Sequence, residues 1–180
     1  MQALPLTFVI GRDRLEWGFL DNRPFLRACH GLGLAYESRG LLGEAYTLFE
    51  NLLDLNPNDN QGVRNLALAC LFGLRRPARA LELCDRLGYE DPALMYGRAL
   101  ALHLLGEKKR AGEAAKKAAD AFPHIAKEFV KEKHVPIVGK YPGFITFGGE
   151  DEAYDFWLQF GGFWAASGAL AVLRAPKRST

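Results

Sequence analysis

Three prolines set the strongest constraint on what this chain can fold into. Pro57, Pro92 and Pro123 each close an amphipathic stretch, and they stand 35 and 31 residues apart. The twelfth residue before each is alanine (Ala45, Ala80, Ala111). The eighth is Phe49, Cys84 or Ala115, and the fifth is Leu52, Leu87 or Ala118. Gly40 and Gly106 each precede their proline by seventeen residues. Helices that cross closely need a small residue at the crossing, and a tight helix–helix turn needs glycine. The residue before a proline is pushed out of the α region, which stops the helix. The pattern therefore predicts three tandem helical hairpins, the second with one inserted residue expected in the turn near Arg75–Pro77. No hairpin can bury its apolar stripe alone, so the copies must stack into an all-α solenoid.

The first hairpin carries more than a period. Leu32-Gly33, Tyr36, Ala45, Phe49 and Pro57 stand at the spacing of the tetratricopeptide repeat (TPR), which this hairpin resembles. The second copy is expected to set Leu66-Ala67 and Cys70 against Leu32-Gly33 and Tyr36, and the third sets Leu102 against Tyr36. A narrower likeness runs through Trp17-Gly18, Leu20–Ala28, Asn56–Arg64, Pro123-His124-Ile125, Glu150–Ala153 and Gly168–Leu170. These segments look like those of small bacterial TPR proteins of the tumour-suppressor-7-like group. The resemblance implies a right-handed α-solenoid of about three TPR-like hairpins, and a non-catalytic scaffold that binds a protein or peptide segment. In such folds the first helix of each hairpin lines a concave groove. Extrapolated here, the groove row is Arg27, His30 and Leu34, then Gln61, Arg64, Asn65 and Leu68, then Tyr96, Leu100 and His103. Arg27, Arg64 and Asn65 would hold a carboxylate or backbone groups, arginine doing so bidentately. That set is similar to the carboxylate clamp of chaperone-binding TPR domains but lacks its usual lysine. An equal alternative makes Arg64 a structural ion pair to Asp59 or Asp54, with Asn58-Asp59-Asn60 a capping turn.

The hairpins occupy 23–123 and leave two flanks. Residues 1–22 read as an N-terminal arm, anchored by Trp17 and Phe19, that packs over the first hairpin and covers its apolar end. Asn22 is the expected N-cap, with Pro24 in the first helical turn. Residues 124–175 read as a cap: a helix from Pro123 to about Lys133, a Pro/Gly-rich loop His134–Gly149, and a helix opening on Glu150-Asp151-Glu152. That last helix puts Phe156, Trp157, Phe160, Phe163 and Trp164 on one face, which suits a cap on the final repeat. A homodimer surface is the alternative. Residues 176–180 form a basic tail expected to be disordered.

Composition excludes several classes. With 49% hydrophobic and 24% charged residues the chain is not wholly disordered. No apolar run reaches the roughly 18 residues needed to span a bilayer, and the N-terminus lacks the charged start of a secretory signal. Three cysteines with no CxxC give a cytoplasmic expectation. Cys29, His30, Cys70, Cys84 and His103 lack ligand spacing, and the cysteines fall on packing positions, so neither metal nor cofactor is expected. There is no GxSxG or HExxH, so no enzyme is expected. Gly31-Leu32-Gly33 lies inside a predicted helix and is no phosphate loop. Net charge is only +2, yet Arg98–Lys140 holds ten Lys/Arg against five Asp/Glu. The alternative function is thus a nucleic-acid-associated adaptor binding phosphates through Lys108–Lys140. Against it, only Phe122 and Phe129 offer rings for base stacking in that span.

Overall fold

A computed structural model describes residues 9–88, 90–137 and 145–174. Among these the regular structure is helical. The helices are α1 (Arg23–Ser38), α2 (Leu42–Leu55), α3 (Val63–Gly73), α4 (Pro77–Leu87), α5 (Pro92–Leu104), α6 (Lys108–Ala121), α7 (Pro123–Phe129), α8 (Glu150–Ser167) and α9 (Leu170–Leu173). The chain forms two compact units, Met1–Arg75 and Arg76–Thr180.

In the first unit α2 packs against both α1 and α3. Its small crossing residue, Ala45, is fully buried, and so is Phe49 one turn on. Phe49 explains the Leu-Gly pair of α1, because a Cβ at Gly33 would lie 2.4 Å from Phe49 Cε1. Pro24 stands in the first turn of α1 and Asn22 at the N-cap position, both as expected, but the Asn22 side chain makes no capping hydrogen bond. A 3-10 turn over Leu20–Asn22 leads into the helix, so Asn22 already has helical dihedrals, and its Nδ2 donates instead to Glu16 O at 3.0 Å. The arm runs beside the end of α2, where Leu15 N donates to Leu55 O at 2.8 Å and Trp17 N to Asn56 Oδ1 at 3.3 Å. The described part of the arm, 9–22, does not cover Ala28, Gly31, Leu32 and Ala35 of α1, which are exposed.

The helix–helix turns 39–41, 74–76 and 105–107 are equal in length. Gly40 and Gly106 take the left-handed conformation there, with φ of 74° and 80°, and Arg75 takes it at 56°. Arg75 stands seventeen residues before Pro92, so it occupies the glycine place with a side chain attached. The inserted residue is therefore not in that turn. It lies upstream, toward the loop 56–62, and the register moves by one: Ala67-Leu68 and Leu71 answer Leu32-Gly33 and Tyr36.

In the second unit α5 packs on α4 and α6, α6 on α7 and α9, and α7 on α8. Ala80, Cys84, Ala111, Ala115 and Ala118 are all buried at the recurring positions. α7 stops at Phe129, short of the expected Lys133. The following segment folds back on Glu128, whose side chain is 1% exposed: Lys131 Nζ pairs with Oε2, and His134 Nδ1 lies 2.9 Å from Oε1. Three of the five aromatics of α8, Phe156, Phe160 and Trp164, are buried. Tyr96 sits among them, with ring centroids 5.6 Å from Phe129, 5.7 Å from Phe156 and 5.9 Å from Trp164. Trp157 is stacked flat under His134 at 3.6 Å. The face offered as a homodimer surface is thus mainly internal core, which corrects that alternative. Residues 1–8 of the arm, 138–144 of the loop and the tail 176–180 lie outside the described residues.

Candidate functional site

In the first unit, the groove row is carried by α1, the loop before α3, and the start of α3. His30 Nδ1 meets Gln61 Nε2 at 3.2 Å. An amide nitrogen can only donate, so His30 Nδ1 is the acceptor of that contact. The His30 ring also stands edge-on to Phe49 at 6.3 Å. Arg27 is exposed, and its guanidinium lies 5.3 Å from the Trp17 ring centre. Arg23 approaches the same indole at 5.1 Å and donates from Nε to Trp17 O at 2.9 Å. Such cation–π contacts hold the arm against the start of α1.

Asp59 organises the entry to α3. Its backbone is left-handed (φ 44°), and its carboxylate accepts Val63 N at 2.7 Å, Arg64 N at 3.1 Å and Arg64 Nη1 at 2.7 Å. With a side chain only 1% exposed, it is both capping acid and ion-pair partner. Of the two readings of Arg64, the structural pair to Asp59 is present. Asn65, the next residue, has a buried Oδ1 with no hydrogen-bond donor among the described residues.

The row fails in the second unit. Tyr96 is fully buried, and its hydroxyl donates to Phe122 O at 3.0 Å. Burial drives that phenol well above its ordinary pKa. His103 donates from Nε2 to Ser167 O at 3.0 Å, at the end of α8. Leu100 is also fully buried, as is Leu68 in the first unit. Tyr96 is therefore corrected from a groove residue to a packing residue, because Phe129 of α7 and Phe156 and Trp164 of α8 lie against it, while His103 stays half-buried. Sequence reasoning missed the Trp17 contact of Arg27. The one visible signal was the i, i+4 spacing of Arg23 and Arg27, which sets two guanidiniums on one side of a helix.

Five of the ten Lys/Arg of the basic stretch are matched by acids within their own unit. Arg98 pairs with Asp85, Arg110 with Glu107, Lys116 with Asp120 at 2.5 Å, Lys117 with Glu90 at 3.1 Å, and Lys131 with Glu128. A cavity of about 280 Å³ between α5 and α6 has Arg98 and Lys117 at its edge, both already engaged in those pairs. Cys70 and Cys84 are fully buried, and burial pushes both thiols up to about 12. Among the described residues no helix is long and apolar enough to cross a membrane.

Residues 26–59 match the family described as Tetratricopeptide repeat. The match spans Arg27 and His30 and falls wholly in the first unit, on α1 and α2 with the Asp59 turn. It reaches the repeat and not the narrower bacterial group. No curated protein and no solved structure matches the chain. Residues 26–59 thus carry the matched repeat, and the described residues continue it as an all-α, TPR-like fold with three helix–helix turns in one register.

Proposed function

We propose that this TPR-like chain is a non-catalytic scaffold that holds a segment of a protein partner on the first-unit row Arg27, His30, Gln61 and Asn65. Arg64 belongs to the row as a brace, through its pair with Asp59. The observation that carries the reading is the buried Asn65 Oδ1 without a donor, on the helix that follows the matched repeat. A buried acceptor left unsatisfied costs about 1–3 kcal/mol, which a backbone N–H from a bound segment would recover once the Asn65 side chain turns outward. Gln61 and the exposed Arg27 add a side-chain amide and a charge-assisted donor to the same row.

Placing a photo-crosslinking residue at His30 or at exposed Glu82 of α4 tests this against cytosolic extract. The expected result is a discrete crosslinked partner from position 30, absent from position 82, and lost when Asn65→Ala is added with helicity unchanged. Equal crosslinking from both positions, or no effect of Asn65→Ala, would remove the row from the function.

A further inference from the structure

A second surface of the first unit, which shares only Arg27 with the concave row, is open on another side of α1. On α1 the residues Ala28, Gly31, Leu32 and Ala35 share one side, and all are exposed, Leu32 at 47%. The same places on α3, in the corrected register, are Val63, Leu66, Ala67 and Cys70. On α5 they are Leu94, Gly97, Arg98 and Ala101. Val63, Ala67, Cys70, Leu94, Gly97 and Ala101 are buried, on helices that pack against α2 and α4 respectively. The α2–α3 contact reaches the end of that side, since a Cβ on Gly73 would lie 2.7 Å from Leu42 Cδ1. Two of the three copies therefore use this side to receive the second helix of a hairpin, and the first copy leaves it open.

A repeat that ends an array ordinarily turns a polar side outward. α1 does not: this strip holds small and apolar residues and no charge. The ends of the strip are basic. Arg27 and the C-cap residue Arg39 are exposed, and no exposed residue of α1 is acidic. A second copy of α1 would set arginine against arginine. α2 shows the complementary chemistry: its Leu42–Leu55 sequence carries Glu44, Glu50 and Asp54 and no Lys or Arg.

We infer that the Ala28–Ala35 side of α1 docks an amphipathic helix of a partner protein, one with a small residue at its crossing point and acidic flanks, as α2 has. The docked helix would continue the packing that α2 makes on α3, with its acids toward Arg27 and Arg39.

The probe is a fluorescein-labelled peptide with the sequence of Leu42–Leu55, titrated with the full-length protein by fluorescence anisotropy. Saturable binding is expected. Leu32→Glu should weaken it about tenfold, the loss of one well-buried leucine contact. Arg27→Glu with Arg39→Glu should weaken it too, and so should a peptide with its three acids changed to lysine. Leu32 is exposed, so circular dichroism of Leu32→Glu should match the parent; if it does not, Ala28→Glu takes its place. Peptide binding unchanged by either variant would mean that the peptide replaces α2 in its own hairpin, and would overturn the inference. Absence of peptide binding would overturn it, as would a concentration-dependent dimer abolished by Leu32→Glu, which makes a second copy the occupant. Crosslinking from His30 should persist in Leu32→Glu, so the two surfaces fail or stand separately.

Discussion

Arg75 holds a backbone conformation that costs a side-chain-bearing residue about 1–2 kcal/mol. Its two counterparts, Gly40 and Gly106, escape that cost. The Arg75 side chain is exposed, so nothing in the packing requires it. Arg75→Gly should therefore stabilise the protein by about 1 kcal/mol, part of the relief being offset by the greater freedom of glycine in the unfolded chain. A rise in the thermal midpoint checks it; a fall would mean that the turn is not strained. At Gly33 the reverse holds, because the Phe49 ring fills the space that a methyl group would need. The same residue type thus answers two different demands, a left-handed turn and a close approach, and sequence spacing alone separates them.

At the scale of elements, the end of α7 is set by electrostatics. Burial alone would raise the Glu128 carboxyl, but hydrogen bonds from Lys131 and His134 hold it below the usual carboxylate range. Asp151 is likewise lowered, chiefly by the backbone N–H of Thr146 and against burial, with Glu152 N–H assisting. Both folded-state values lie below the unfolded ones. Their stabilisation is therefore complete above the ordinary carboxylate pKa of about 4 and is lost as pH falls through the folded values. Melting followed by circular dichroism should show an acid limb below about pH 4, shallower in Glu128→Gln; an identical limb would exclude this cluster as its source. α8 gives a second test. Phe160 is 2% exposed, so Phe160→Ala should destabilise by about 3–5 kcal/mol while light scattering stays unchanged. A change of oligomeric state would restore the surface role. The hairpins and the start of α8 were legible because their signals are local: a proline stop, an alanine crossing, an acidic first turn. The fate of Tyr96 was not, since the residues that bury it lie 33 to 68 positions downstream. Arg64 was legible as one of two alternatives, because Asp59 is close in sequence and its turn is encoded by neighbouring asparagines.

For the whole molecule, the near-neutral charge of +2 conceals pairing rather than a uniform surface. Arg98, Arg110, Lys116, Lys117 and Lys131 all hold acids, so a phosphate backbone would have to compete for them. A mixed-sequence RNA oligomer should show no retardation by the protein even at low salt; retention that weakens with added salt would reinstate the basic stretch as a binding surface. Binding is expected instead in the first unit, where the matched repeat lies. The way α7 and α8 close over α5 has one further consequence, for how such a chain can be lengthened. A duplicated hairpin grafted between α6 and α7 would pull Phe129 and Trp164 away from Tyr96 and open the second unit. A hairpin fused ahead of Arg23 would meet a strip of α1 already shaped to receive it. An added hairpin is therefore accommodated before α1 and excluded between α6 and α7.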